Sequence, residues 1–288
     1  MKRIVLALTA LLPVVGDGSA ADIRVSPGLV SDRRSTGEHF NGLQLELQVS
    51  GGDVAKAKAV KVDVTKAADD TGRDLLKKDS FDSGFTPLRS DNPDRAKVDV
   101  NFKNPARKAQ TFDVDATLRV LMPQADPESV ILIENYAALS GKPIENPALA
   151  KAGVELRLFT KADFTKLRAE AKAQRDADRK AKTGGGLGGL VKGAVGGLVE
   201  NAMADVLSGF MEGDLSFLVK DPNSRIIQFD FSEAAGKEIS PRMSSRSGSV
   251  NSYSFNGPLP ADAKIRVYLA TEKSLATVPV SLKAVELP

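Results

Sequence analysis

Apolar and polar residues alternate through most of this chain, and one stretch breaks the pattern. Leu43, Leu45, Leu47 and Val49 alternate with Gln44, Glu46 and Gln48. A period of two with one polar face predicts a half-buried antiparallel strand. Ile23 and Val25 predict an edge strand ahead of it, and Gly51-Gly52-Asp53 a turn behind it. The same alternation recurs at Val60, Val62 and Val64, at Val98, Val100 and Phe102, and from Phe112 through Val114, Ala116 and Leu118 to Val120. Val130 to Ile133 is continuously apolar, which predicts a strand buried on both faces. Val154, Leu156 and Leu158 close this first group.

After residue 213 the alternation returns at Leu215, Phe217 and Val219, and at Ile227, Phe229 and Phe231. Tyr253 with Phe255, then Ile265, Val267 and Leu269, then Val278, Val280 and Leu282 complete it. The polar section 66–97, punctuated by Gly72, Gly84, Pro87 and Pro93, and the serine-rich stretch Ser244 to Ser252 read as loops.

Short strands joined by turn-rich loops, with no helix between them, predict a mainly β fold of sandwich or barrel type. The late strands either form a second small sandwich or complete the first pair of sheets. The segment that separates the two groups favours the former. The expected organisation is two antiparallel, Ig-like β-sandwich units at residues 22–160 and 214–288, separated by a helical, glycine-rich insertion at 161–213. The label is architectural only, because the Cys…Trp…Cys hallmark of true Ig domains is absent.

That insertion has two parts. KADFTKLRAEAKAQRDADRKAK, from Lys161, consists of good helix formers, with Phe164 and Leu167 as its only large apolar groups. As a helix it touches a body at its first turn and is solvated beyond it. Ala169, Ala173 and Ala177 add a narrow row at i, i+4 spacing. From Gly184 to Gly213 apolar residues fall in adjacent pairs every four positions, from Leu190-Val191 to Phe210-Met211. A repeat of four drifts about 40° per step around a helix, so the apolar stripe wraps it. Gly185, Gly189, Gly193 and Gly197 follow the same period and make a ridge without side chains, a glycine zipper. Such a ridge admits a second backbone at close range. Six glycines between Gly186 and Gly197, at about 1 kcal/mol each relative to alanine, deny a solitary helix stability, so a packing partner is required.

Targeting comes next. Lys2 and Arg3, an apolar run from Ile4 to Val15, and Gly18-Ser19-Ala20-Ala21 have the layout of a secretory signal peptide over residues 1–21. The run is too short for a membrane span and Pro13 interrupts it. With no cysteine there is no lipid-attachment site and no disulfide framework. A bacterial periplasmic or extracellular location is expected. Removing Lys2, Arg3 and Asp17 takes the formal charge from +3 to +2, with both signs interspersed, which argues against a nucleic-acid partner. Trp is absent and aromatics make up only 5%, so an aliphatic core is expected.

Catalytic constellations are scarce. His39 is the only histidine, and no Gly-x-Ser-x-Gly elbow accompanies it, so it reads as structural or solvent-exposed. Asp70-Thr71-Gly72 and Asp82-Ser83-Gly84 share the triplet of aspartic proteases, but they lie twelve residues apart in hydrophilic surroundings and read as turns. Asp113 and Asp115 share a strand face without the loop of a calcium site, and read as a solvated face. No nucleotide-binding glycine pattern is present in 184–197. No catalytic, metal-binding or cofactor-binding residue is assigned. Arg242 and Arg246, among serines, offer a polar loop to anionic ligands, with a flexible loop as the plainer reading.

The expected function is that of an exported, non-catalytic binding or scaffold module, its glycine-ridged helix serving self-association or docking on its own domains. An alternative is attachment of the 184–213 helix to a membrane surface, although Lys192, Glu200, Asn201 and Asp205 oppose a simple span at about 2.5–3.5 kcal/mol per mid-membrane charge. A second alternative is an enzyme with an unidentified carboxylate site.

Overall fold

The computed structural model describes residues 22–35, 41–77, 84–88, 95–183 and 214–288. Among the described residues strands hold about 50% and helix about 15%, so the fold is mainly β. In chain order the elements are β1 (Arg24–Arg33), β2 (Gly42–Ser50), β3 (Ala59–Asp69), β4 (Thr86–Pro87), β5 (Arg95–Phe102), β6 (Thr111–Leu121) and β7 (Val130–Ile133). There follow α1 (Pro147–Ala152), β8 (Glu155–Thr160), α2 (Lys161–Thr183), β9 (Leu215–Lys220), β10 (Ile226–Ser232), β11 (Met243–Ser247), β12 (Val250–Ser254), β13 (Lys264–Leu269) and β14 (Leu275–Glu286).

Among the described residues these strands make four antiparallel sheets, ordered β1-β2-β5, β14-β6-β3-β4, β10-β13-β7 and β11-β12-β9-β8, and no barrel. The first two share one hydrophobic cluster. Leu43, Leu45 and Leu47 of β2 meet Phe112, Val114 and Leu118 of β6 there, as the strict alternation of both strands requires. Phe102 and Phe112 stack edge to face across it at 6.1 Å. The other two sheets share a second cluster, mostly aliphatic like the first, as the composition predicts. Phe217 lies 4.4 Å from Phe229, while Tyr253 and Phe255 lie 4.9 and 5.0 Å from Phe231. Several aromatic rings meet in this cluster, while most of its other buried members are aliphatic.

The strand pairing does not follow the 22–160 and 214–288 division. β14 pairs with β6 from Leu275↔Leu121 to Glu286↔Thr111, and β7 pairs with β13 from Ile133↔Ile265 to Val130↔Tyr268. The chain therefore crosses twice between the two sheet pairs, through residues 122–129 and 270–274. These crossings are clipped together: the Met122 amide donates to the Ser274 carbonyl at 2.7 Å, and the Thr271 hydroxyl to Asp126 at 2.6 Å. Beside them Ala59, Leu121 and Tyr268 form a small apolar seam, and Lys58 reaches over the Tyr268 ring to Asp230 at 3.3 Å.

Three local expectations are corrected. β7 lies at a sheet edge and Leu132 is 48% exposed, so this strand is not buried on both faces. In β3 a bulge between Val64 and Lys66 shifts the alternation, which turns Ala67 and Asp69 inward. The Ser244–Ser252 stretch is the β11–β12 hairpin, turned at Gly248 with φ +48°, where a two-residue loop needs left-handed backbone.

Candidate functional site

β8 and β9 are antiparallel neighbours whose last rung is Thr160↔Leu215. Between those two paired residues the chain makes its longest excursion. It leaves as α2 directly from Thr160 and is back at Asp214, where the Lys161 amide donates to the Asp214 carbonyl at 3.0 Å. The Asp214 carboxylate in turn accepts from the Phe255 amide at 2.8 Å, fixing the point of return to β12.

The start of α2 is specified by its own sequence. The Thr160 hydroxyl accepts from the Asp163 amide at 3.4 Å, as an N-cap does, and donates to the Asp163 carboxylate at 2.6 Å, while the Thr160 amide donates to the Ser140 hydroxyl at 3.0 Å. Ser140 adds a hydroxyl to the same carboxylate at 2.5 Å. The Ser140 bond first, then that of Thr160, holds the Asp163 carboxyl below its usual range.

One turn later Phe164 is 1% exposed. It packs edge-on to Phe159 at 6.5 Å and joins Leu218, Val250 and the half-buried Leu167 on the outer face of the β9 sheet. This placement is the one expected for the two large apolar groups of the helix. Beyond them Ala169, Glu170, Lys172, Ala173 and Asp176 are exposed. The ridge residues Gly185, Gly189, Gly193 and Gly197 lie outside the described residues, as do His39, Asp82 and Ser83.

The carboxylates singled out in the sequence are occupied structurally. Asp113 and Asp115 face the last strand: Lys283 reaches Asp115 at 2.9 Å and Asp113 at 3.7 Å, and Ser281 donates to Asp115 at 2.7 Å. The Ser281 bond, followed by that of Lys283, lowers the Asp115 pKa. Asp70-Thr71-Gly72 sits in the turn after β3, with Gly72 at φ +84° and its amide on the Asp69 carbonyl at 2.9 Å. Asp69, 5% exposed, organises this turn. Its carboxylate accepts from the amides of Thr71 (3.0 Å), Arg73 (3.0 Å) and Ala106 (2.7 Å) and from the Thr71 hydroxyl (2.7 Å). Burial alone would raise its pKa, but the bonds from Ala106, Thr71 and Arg73 outweigh it and hold the carboxyl below its usual range. Among the described residues no group of three or more acidic or histidine side chains is placed to hold a metal ion. No helix among them is long and apolar enough to cross a membrane.

Two clefts open at opposite margins of the second sheet pair. The larger, about 570 Å³, lies between the edge of β7 and residues 139–146. Three of its polar groups are engaged: Glu134 pairs with Lys264 at 3.3 Å, Lys142 donates to the Ala138 carbonyl at 3.0 Å, and Asn146 accepts from the Ala148 amide at 2.8 Å. The smaller, about 350 Å³, lies between the outer strand β10 and the β11–β12 hairpin. Ile226 and Phe229 give it an apolar wall, and Gln228, Arg246, Asn251 and Tyr253 face it with polar groups.

A register shift falls between Ile226 and Gln228, and the four consecutive residues Ile226 to Phe229 line this margin. The Gln228 amide nitrogen donates to Asp230, which fixes the amide's orientation, and its oxygen is buried with no partner among the described residues. Burial drives the Tyr253 phenol well above its ordinary pKa; Arg246 opposes this and Asp230 reinforces it. Arg246, read in the sequence as part of a polar, flexible loop, stands on strand β11 of the hairpin. Gln228, Asn251 and Tyr253 were not legible as cleft residues, although Gly248-Ser249 between serine-rich runs was a usable hairpin signal.

No family model, curated protein or solved structure matches this chain.

Proposed function

We propose that this is an exported, non-catalytic scaffold protein that associates with further copies of itself through an arm inserted into a β-hairpin. The body is two Ig-like sandwich units, one from residues 22–121 with 275–288, the other from 130–160 with 214–269. Residues 1–21 are the signal peptide, and the location is periplasmic or extracellular. The arm is residues 161–213, and its glycine ridge at Gly185, Gly189, Gly193 and Gly197 packs against another copy.

The observation that carries this reading is the return of the chain to its point of departure: Thr160 pairs with Leu215, and Lys161 bonds to Asp214. A connection between adjacent antiparallel strands needs only about two residues. Everything from Lys161 onward is therefore surplus to the sheet it interrupts. α2 spends its apolar groups within two turns, and at 1.5 Å per residue its 23 residues run about 35 Å from that anchor. Past Leu167 the described side chains of the helix, Ala169, Glu170, Lys172, Ala173 and Asp176, are exposed. A ridge of glycines suits close backbone packing, which an arm reaching into solvent can offer to a second copy.

Excision tests it. Joining Thr160 to Asp214 through Asn-Gly should leave a folded body with the circular dichroism of a β protein and abolish self-association in light scattering. If the excised protein associates as strongly as the full chain, or the full chain is monomeric at all concentrations, the arm is not an assembly element.

A further inference from the structure

We propose that Asn256 is a site of intrinsic covalent modification, where the Gly257 amide closes a succinimide ring and the side-chain amide becomes a carboxylate. Two asparagines of the chain, Asn41 and Asn256, precede glycine. Glycine matters because the attacking atom is the backbone nitrogen of the following residue, and with no Cβ beside it that nitrogen is open to approach. By sequence the two sites are equal, since both read Phe-Asn-Gly. The fold separates them.

Ring closure needs a side chain free to swing over the next amide, a backbone able to turn at that junction, and solvent base at the N–H. At Asn41 the first two are withheld. Its side-chain oxygen accepts from the Ser35 amide at 2.5 Å. Gly42 opens β2 and pairs with Arg33 of β1, and the next residue, Leu43, pairs with Phe102 of β5. At Asn256 nothing is withheld. Asn256 and Gly257 are exposed between β12 and β13, and neither the Asn256 side chain nor the Gly257 amide makes a hydrogen bond among the described residues. Asn223, which precedes Ser224 in another exposed turn, is held back, because the Ser224 amide donates to the Asp221 carbonyl at 3.2 Å.

The reaction consumes only water. Base takes the Gly257 amide proton, the nitrogen attacks Asn256 Cγ, and the Cγ–Nδ2 bond breaks with the side-chain nitrogen leaving as ammonia. Water then opens the imide at either carbonyl, giving aspartate or isoaspartate. Either product puts an anion where a neutral amide stood. Isoaspartate also lengthens the main chain by one methylene between two anchors. These are the Phe255 amide on the Asp214 carboxylate at 2.8 Å, and the Leu259 carbonyl, which accepts from the Tyr136 hydroxyl at 3.0 Å. The first anchor fixes the return of the chain at Asp214, so the new anion arises one residue from a carboxylate that this junction depends on.

The test is peptide mass spectrometry on residues 22–288, held at mildly alkaline pH and sampled over time, once folded and once in urea, with digestion under acidic conditions. In the folded protein the Asn256 peptide should gain the mass of an amide turned acid and split into two chromatographic forms, while the Asn41 peptide stays unchanged. In urea both should convert at similar rates, because the fold alone distinguishes them. A Cβ added at Gly257 meets nothing within 4 Å, so Gly257→Ala leaves the fold intact. That variant should slow conversion at least about tenfold by crowding the attacking nitrogen. Equal conversion of Asn41 and Asn256 in the folded protein, no conversion of Asn256, an Asn41 that stays inert in urea, or an undiminished rate in Gly257→Ala overturns the proposal.

Discussion

Replacing Phe164 with alanine tests whether the arm is a separate element rooted at one spot. Phe164 is 1% exposed, and its neighbours are Phe159, Leu218 and Val250, with Leu167 half-buried beside them. Truncating a buried phenylalanine costs about 3–5 kcal/mol, of which its edge-on contact with Phe159 accounts for about 0.5–1.5. Among the described residues Phe164 is the one large buried side chain that α2 brings to the root, so the loss falls mostly on the attachment of the helix. At about 3 kcal/mol, the amides around Leu167 should lose protection from hydrogen exchange about a hundredfold. Amides of β2 and β6, in the other hydrophobic cluster, should exchange as before. Phe164→Leu should recover most of the protection, because it restores the greater part of the volume. Hydrogen exchange read by mass spectrometry at peptide resolution measures all three. Unchanged protection near Leu167, or an equal loss in β6, would refute the idea of a local root.

Two further outcomes follow from the buried carboxylates. Asp69→Ala strands the amides of Thr71, Arg73 and Ala106, and should lower stability in urea by about 3 kcal/mol at neutral pH. Because the folded Asp69 pKa is depressed, its contribution is complete above the ordinary carboxylate range near about 4. It is lost as pH falls through the lower folded value, so Asp69→Asn should show a flatter stability profile than the parent below about pH 4. Asp126→Ala removes the acceptor for Thr271 and for the Glu128 amide in the double crossing and should cost about 1–2 kcal/mol. Thr271→Val should add less in that background than alone, which urea melts of the two single variants and the double variant will show.

What the sequence revealed depended on whether one face of an element is wet. β2 and β6 were legible because Gln44, Glu46 and Gln48, or Asp113, Asp115 and Thr117, mark the solvent side without a break. The root of α2 was legible for the same reason in reverse, since Phe164 and Leu167 stand alone in a charged helix. β7 was misjudged because a run of four apolar residues looks the same in a sheet centre and at an edge beside a cleft. The β11–β12 hairpin was missed because serines on both faces produce no hydropathy period. Partnership was the least legible property. Lys283 meets Asp115 across 168 residues, and nothing local marks β14 as belonging with the first half of the chain. The cleft depends on such distances too, for Gln228 donates to Asp230, which Lys58 reaches across 172 residues.

Sedimentation equilibrium of residues 22–288, run beside a Gly189→Leu, Gly193→Leu variant, bears most directly on the arm as the means of self-association. The parent should show a mass that rises with concentration, and the variant the monomer mass throughout, with its strand signal intact. A parent that stays monomeric, or a variant that associates undiminished, would contradict the account.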